Sequence, residues 1–147
     1  MELGKIVADS NVIVKWFILE DYSDQAKLLR NDHLMGYVEV VSPTYALIEI
    51  YNTLRKYLVK GLIGEKELYK IIDLLYDVKI SFTEITRELL DKALDYSVKN
   101  SITVYDAYYI VLAYRLNTVV YTADEKLLRN LRGREHRIKH IKEYYRK

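Results

Sequence analysis

The 147 residues include no cysteine, one proline and five glycines. Without cysteine there is no disulfide framework, no thiolate zinc site and no cysteine nucleophile. With so little proline and glycine, element boundaries must be read from hydrophobic period rather than from breakers. No uninterrupted apolar stretch approaches the ~20 residues that span a bilayer. The opening MELGKIVADSN lacks the basic segment and long apolar run of an export signal. A soluble cytoplasmic protein with no membrane partner is expected. There is no repeat, low-complexity tract, heptad run or linker, so residues 1–147 read as a single domain. Gly61-Leu62-Ile63-Gly64 lacks the Gly-Lys-Ser/Thr ending of a phosphate loop. Ser10 has no evident histidine partner for a triad. His33, His136 and His140 lack metalloprotease spacing and are expected at the surface.

Half the residues are hydrophobic and 30% are charged, a globular balance. Net charge is +2, unevenly placed. The tail, residues 129–147, has eight Lys or Arg against Glu135 and Glu143, a net +6, which leaves the preceding 128 residues at −4. An acidic body with a basic tail can hold a cation in one place and a polyanion in another; a solvated terminal helix explains the tail equally well. Of fifteen tyrosines, Tyr105, Tyr108, Tyr109 and Tyr114 crowd one stretch. They suit core or interface packing better than stacking on bases.

Short β-prone runs occur at Lys5–Ala8, Val38–Val41, Val78–Phe82, Asn117–Tyr121 and Ile138–Ile141. Helical patterns lie between them. Ser42-Pro43 reads as an N-cap with proline at the first helical position, opening a helix over Thr44–Val59. Further helices are expected over Glu65–Tyr76, from Thr83-Glu84 to about Lys99, over Thr103–Leu116 and over Asp124–Leu131; Asp24–Arg30 is also helical in pattern. Strands alternating with helices imply an α/β fold whose parallel sheet is covered on both faces. Such sheets place function beyond the carboxyl ends of their strands.

Four acids stand out against that rule. Asp9 ends the first strand and Asp124 follows the fourth, in Thr122-Ala123-Asp124. Either can be a helix cap, yet two strands deliver carboxylates at equivalent places. Asp106 is the only charge in Val104–Tyr114, a helix apolar all round and therefore buried. Thr103 can cap it, but a buried carboxylate without a partner is costly. Glu49 shares a helix face with Asn52, Thr53 and Lys56, opposite Leu47, Leu54 and Leu58, which a solvated face explains fully. Carboxylates gathered together must take up protons or bind a cation. With only hard oxygen ligands on offer, Mg²⁺ or Mn²⁺ fits better than zinc.

Asp9-x-Asn11, Glu49 with Asn52, Tyr105-Asp106-Ala107 leading an apolar helix and Thr122-x-Asp124 together resemble the PIN domain. Their order and spacing are especially similar to the VapC toxins of toxin–antitoxin pairs. The resemblance covers essentially the whole chain. It implies a three-layer α/β/α sandwich with a central, mainly parallel sheet. It also implies Mg²⁺-dependent endoribonuclease cleavage by a metal-activated water, with Asp9, Glu49, Asp106 and Asp124 as the acidic metal cluster and Asn11 and Thr122 assisting by hydrogen bonds. Self-pairing as a homodimer and pairing with a VapB-like antitoxin are further implications. Tyr22, Leu28, Leu29, Tyr51, Leu62, Leu68, Tyr69 and Leu75 exceed what one core absorbs, which suits an interface. In the tail, Arg132 and Arg137 are expected to contact RNA phosphates. The alternative is a PIN-like module that binds RNA or protein without cleaving. A haloacid-dehalogenase-like phosphotransferase would need Asp-x-Asp where this chain has Asn11.

Overall fold

The computed structural model describes residues 3–146. Its five strands are β1 (Gly4–Ala8), β2 (Val38–Pro43), β3 (Ser81–Thr83), β4 (Val120–Thr122) and β5 (Ile138–His140). They form one sheet in the order β3-β2-β1-β4-β5, and every neighbouring pair is parallel. Around them lie helices α1 (Ser10–Val14), α2 (Ser23–Leu34), α3 (Tyr45–Val59), α4 (Glu65–Asp77), α5 (Arg87–Asn100), α6 (Val104–Arg115) and α7 (Glu125–Asn130).

Strand residues alternate between two cores, as the two-residue period of a strand requires. Ala8 and Val40 face a layer built from Ile13, Leu29, Ile50, Leu54 and Leu75 of the first four helices, with Trp16 from the turn after α1. Their neighbours Val7 and Val41 face the other layer, with Leu89, Leu127 and the buried run Ala107–Ala113 of α6. This is the three-layer α/β/α architecture expected. Among the described residues no helix is long and apolar enough to cross a membrane.

Several local expectations are overturned. Ser42 and Pro43 do not open a helix; both belong to β2, and Thr44 is the N-cap. The sheet holds them extended, because Pro43 pairs with Thr83 of β3 and the Ser42 hydroxyl donates to the Ala8 carbonyl at 2.8 Å. In a continuing ladder that carbonyl would take an N–H from position 43, which proline lacks. Thr83 and Glu84 likewise do not start a helix. The Thr83 carbonyl accepts the Thr44 N–H at 2.9 Å, and α5 is capped by Thr86, whose hydroxyl accepts from the Leu89 N–H. The tail is not a terminal helix: it supplies edge strand β5 and a 3₁₀ turn over Ile141–Glu143. Buried Asp32 of α2 then accepts from the Tyr144 hydroxyl at 2.6 Å and Arg146 Nε at 2.7 Å, which pins the chain end to the helical layer. Nor are two of the histidines at the surface. His140 is buried, and His33 bridges Val78 and Val40 through both ring nitrogens.

Candidate active site

Because all five strands run the same way, their carboxyl ends share one edge of the sheet. Asp9 lies just beyond β1, its N–H bonded to the Tyr121 carbonyl at 3.0 Å. It occupies the N-cap position of α1 without making a side-chain cap bond. Instead Oδ2 accepts from the Thr122 hydroxyl at 2.9 Å and, more weakly, from Asn11 Nδ2 at 3.4 Å. Asn11 also donates to Thr122 Oγ1 and accepts the Ala123 N–H at 3.0 Å, so it staples the end of β1 to the end of β4. Thr122 in turn accepts from the Asp124 N–H at 3.1 Å. Asn11 and Thr122 therefore touch the acids directly.

Asp124 does cap α7, through a 3.0 Å bond from the Leu127 N–H to Oδ1. Capping occupies one oxygen, and the carboxylate still repels Asp9 and Asp106. Asp106 sits in the first turn of α6, where its N–H is capped by Thr103 Oγ1 at 3.1 Å. Glu49 does not lie on a purely solvated face: it is half-buried, and its Oε1 accepts from the Tyr109 hydroxyl at 2.7 Å.

The electrostatics tie the four together. Asp9 is only 7% exposed, and burial pushes its carboxyl up to about 7; the Thr122 bond opposes that rise, while Glu49, Asp106 and Asp124 add to it. Burial likewise raises Glu49, against the Tyr109 bond and with repulsion from Asp106. Asp106 is raised by burial and by Asp124. No ion pair with Lys, Arg or His relieves Asp9, Glu49, Asp106 or Asp124 among the described residues. The acids share one field, but no three of them are drawn into a ready-made coordination shell among those residues. Drawing two of these carboxylates to about 4 Å would cost about 4 kcal/mol at an effective dielectric of 20, a cost that a bound cation would offset. The donor set, all carboxylate oxygen, suits a hard divalent cation.

The PIN domain family model matches residues 6–133, most of the chain and every acid of the crevice. The chain belongs to the PIN domain family. Ribonuclease VapC3 of Pyrobaculum aerophilum is 28% identical over 124 residues, spanning 84% of this chain and 92% of the relative. Among solved structures, PAE2754 from Pyrobaculum aerophilum is similar with a TM-score of 0.64 at 19% identity, over 88% of this chain and 81% of that one. A toxin–antitoxin complex from Klebsiella pneumoniae gives 0.65 at 12% identity, over 92% and 97%. VapC20 of Mycobacterium tuberculosis, a toxin that cleaves the sarcin–ricin loop, gives 0.62 at 14% identity, over 82% and 90%. At these identities the structures speak for the fold.

In this PIN domain two tyrosines, Tyr109 and Tyr45, support the acids without having been expected at the site. Tyr109 follows Asp106 by three residues on α6 and so shares its face. Besides holding Glu49, its hydroxyl accepts the Ser10 N–H at 3.3 Å. Tyr45, one turn before Glu49 on α3, packs edge-on against Tyr105, Tyr108 and Tyr109. Burial and the neighbouring carboxylates push the Tyr45 and Tyr109 hydroxyls well above their ordinary range, so both stay protonated donors. The sequence signal was the i+3 and i+4 spacing to an acid. Tyr109→Phe should cost about 1–3 kcal/mol, because it strips a bond from a carboxylate and one from a buried N–H. Urea melting at neutral pH reads this directly, and an unchanged midpoint would remove Tyr109 from the site's support.

Arg137 and Arg132 lie apart from this crevice. Arg137 precedes β5, at the amino-terminal edge of the parallel sheet, where its guanidinium bonds to Asn117 Oδ1 and the Thr118 carbonyl. Arg132 is exposed in the turn after α7.

Proposed function

We propose that the protein is a metal-dependent endoribonuclease and the toxin of a toxin–antitoxin pair. The observation that carries the nuclease reading is Asp9: a buried carboxylate with no cationic partner among the described residues, in the field of three further acids at the functional edge of a parallel sheet. A protein keeps such a group at a cost to its stability unless a cation completes it. Asp9, Glu49, Asp106 and Asp124 would hold Mg²⁺ or Mn²⁺, which supplies a nucleophilic hydroxide near neutral pH and neutralises charge at the phosphodiester. Thr122 and Asn11 hold Asp9 in place, Tyr109 fixes Glu49, and Asp124 is oriented by its cap. Cleavage of an internally labelled RNA pool should require Mg²⁺ or Mn²⁺ and stop in chelator. Binding without cleavage at any metal concentration would favour the non-catalytic module instead.

The toxin role rests on the similarity to VapC3 and to the Klebsiella toxin–antitoxin complex. Of the apolar residues expected to exceed one core, Leu29 and Leu75 are buried in it and Tyr22, Leu28 and Leu68 pack against it, because α2 and α4 both cover the sheet. Tyr51, Leu62 and Tyr69 are exposed, joined in the α3–α4 region by Ile48, Val59 and Tyr76. A homodimer through these helices, with a VapB-like antitoxin beside the acids, accounts for that apolar surplus. Sedimentation as a monomer at tens of micromolar would count against the dimer.

A further inference from the structure

A cleft of about 720 Å³ opens at the amino-terminal edge of the sheet, lined by Gly4, Lys5, Asn117 and Thr118 where strands begin. Its mouth at the strand starts lies the length of β1 from Asp9, roughly 17 Å at ~3.3 Å per residue, while Tyr121, paired with Ala8, forms its wall nearest the acids. Among the described residues Asp32 is the only carboxylate in its lining, and that charge is already matched by Arg146 and the Tyr144 hydroxyl. The cations Lys5, Arg137 and Lys139 remain, and none is in an ion pair among the described residues. Arg137 is the informative one. Its guanidinium is fixed by Asn117 Oδ1 at 3.1 Å and the Thr118 carbonyl at 3.1 Å, and lies 5.0 Å from the Tyr114 ring centroid. All of these partners are neutral, so the charge is oriented without being cancelled. Glu135, two residues away, accepts from the Tyr96 and Tyr114 hydroxyls and from the Arg137 backbone.

Positive charge alone would suit any small anion. The lining also carries exposed Tyr37 and Tyr145 and half-buried Tyr121. Arg146 lies 4.6 Å from the Tyr37 ring centroid and Tyr144 packs edge-on against Tyr121, which leaves Tyr145 as the ring for a base. The volume falls within the ~300–1,000 Å³ of small-molecule sites and exceeds what a bare phosphate fills. Cations beside an open aromatic ring are the combination that takes a phosphate and a base together. We infer that this cleft binds a nucleotide unit, with its phosphate at Lys5, Arg137 and Lys139 and its base against Tyr145. The unit is either a free nucleotide or one member of an RNA chain. None of the four acids, nor Asn11 or Thr122, lines this cleft. It meets the acidic crevice at Tyr121, whose carbonyl accepts the Asp9 N–H, and its phosphate-holding cations take no part in the nuclease reading.

The test uses the full chain carrying Asp106→Asn, in chelator, titrated with AMP, with inorganic phosphate and with a single-stranded hexaribonucleotide. AMP or the hexamer should bind more tightly than phosphate. AMP binding identifies a free nucleotide as sufficient, whereas hexamer binding alone identifies RNA. Lys5→Glu with Lys139→Glu, both at exposed positions, should weaken that binding at least about tenfold and flatten the hexamer's salt slope by about 0.7 for each phosphate no longer neutralised. Tyr145→Ala should weaken AMP and hexamer but not phosphate. Equal affinity for phosphate, no binding of either nucleotide probe, or affinities untouched by the lysine reversals would overturn the assignment.

Discussion

Asp106→Asn should lower RNA cleavage by about 10³-fold or more while leaving the fold intact. Removing a single preorganised charge or donor at a phosphoryl or acyl centre costs about 10²–10³ in rate, and here the group would also bind the cation that makes the nucleophile. The substitution keeps size and shape, and the Thr103 bond at this turn goes to the backbone N–H of residue 106, which asparagine retains. Asp106 is raised by burial and by Asp124, so its ionised form works against the metal-free fold. The variant should therefore melt no lower than the parent in chelator. Loss of activity with a lowered melting point would mean unfolding rather than chemistry. Activity within tenfold of the parent would remove Asp106 from the site altogether.

How legible each acid was in the sequence follows from what its local pattern could distinguish. Asp9 and Asp124 were legible because the strand-end rule depends only on strand direction, and four parallel pairings bear that direction out. Asp106 was legible because one charge in an apolar helix has few outlets. Glu49 was not. On α3 the buried positions are Ala46, Ile50 and Leu54, and a half-buried residue beside them has the same periodicity whether it faces water or a crevice. Only the Tyr109 bond, sixty residues away in sequence, tells the two apart. The local errors share a cause. Ser42-Pro43 and Thr83-Glu84 obey helix-start rules in isolation, but Thr44 N–H to Thr83 O and Ser42 Oγ to Ala8 O bind both segments into the sheet. His33 and His140 were misplaced because a histidine's partners, here Val40, Val78 and Lys142, are backbone groups that leave no pattern in sequence.

Asp9→Asn should raise the stability of the metal-free protein at pH 8, while abolishing its stabilisation by Mg²⁺. With the Asp9 carboxyl at about 7 in the fold against 3.8 for the unfolded chain, the folded state holds more protons between those values. Stability of the parent in chelator must then fall as pH rises from about 4 to about 7 and level off above. At ~1.36 kcal/mol per unit the whole effect is at most about 4 kcal/mol. Asparagine keeps an acceptor for Thr122 but brings an N–H₂ needing a partner, so a net gain of about 1–3 kcal/mol is the expected result. For a chain of this size that is several degrees in Tm. The variant should keep only the shallower fall due to Glu49 and Asp106, whose carboxyls are also raised. Mg²⁺ reverses the comparison. A cation that binds only the folded parent adds about 2.7 kcal/mol at one hundred times its Kd, and it should flatten the parent's pH dependence by holding Asp9 ionised. Melting curves across pH 4–9, with chelator and with Mg²⁺, separate these effects. A parent whose stability is flat over that window, or an Asn variant stabilised by Mg²⁺ as strongly as the parent, would show that Asp9 is not the buried, cation-seeking carboxylate on which the site depends.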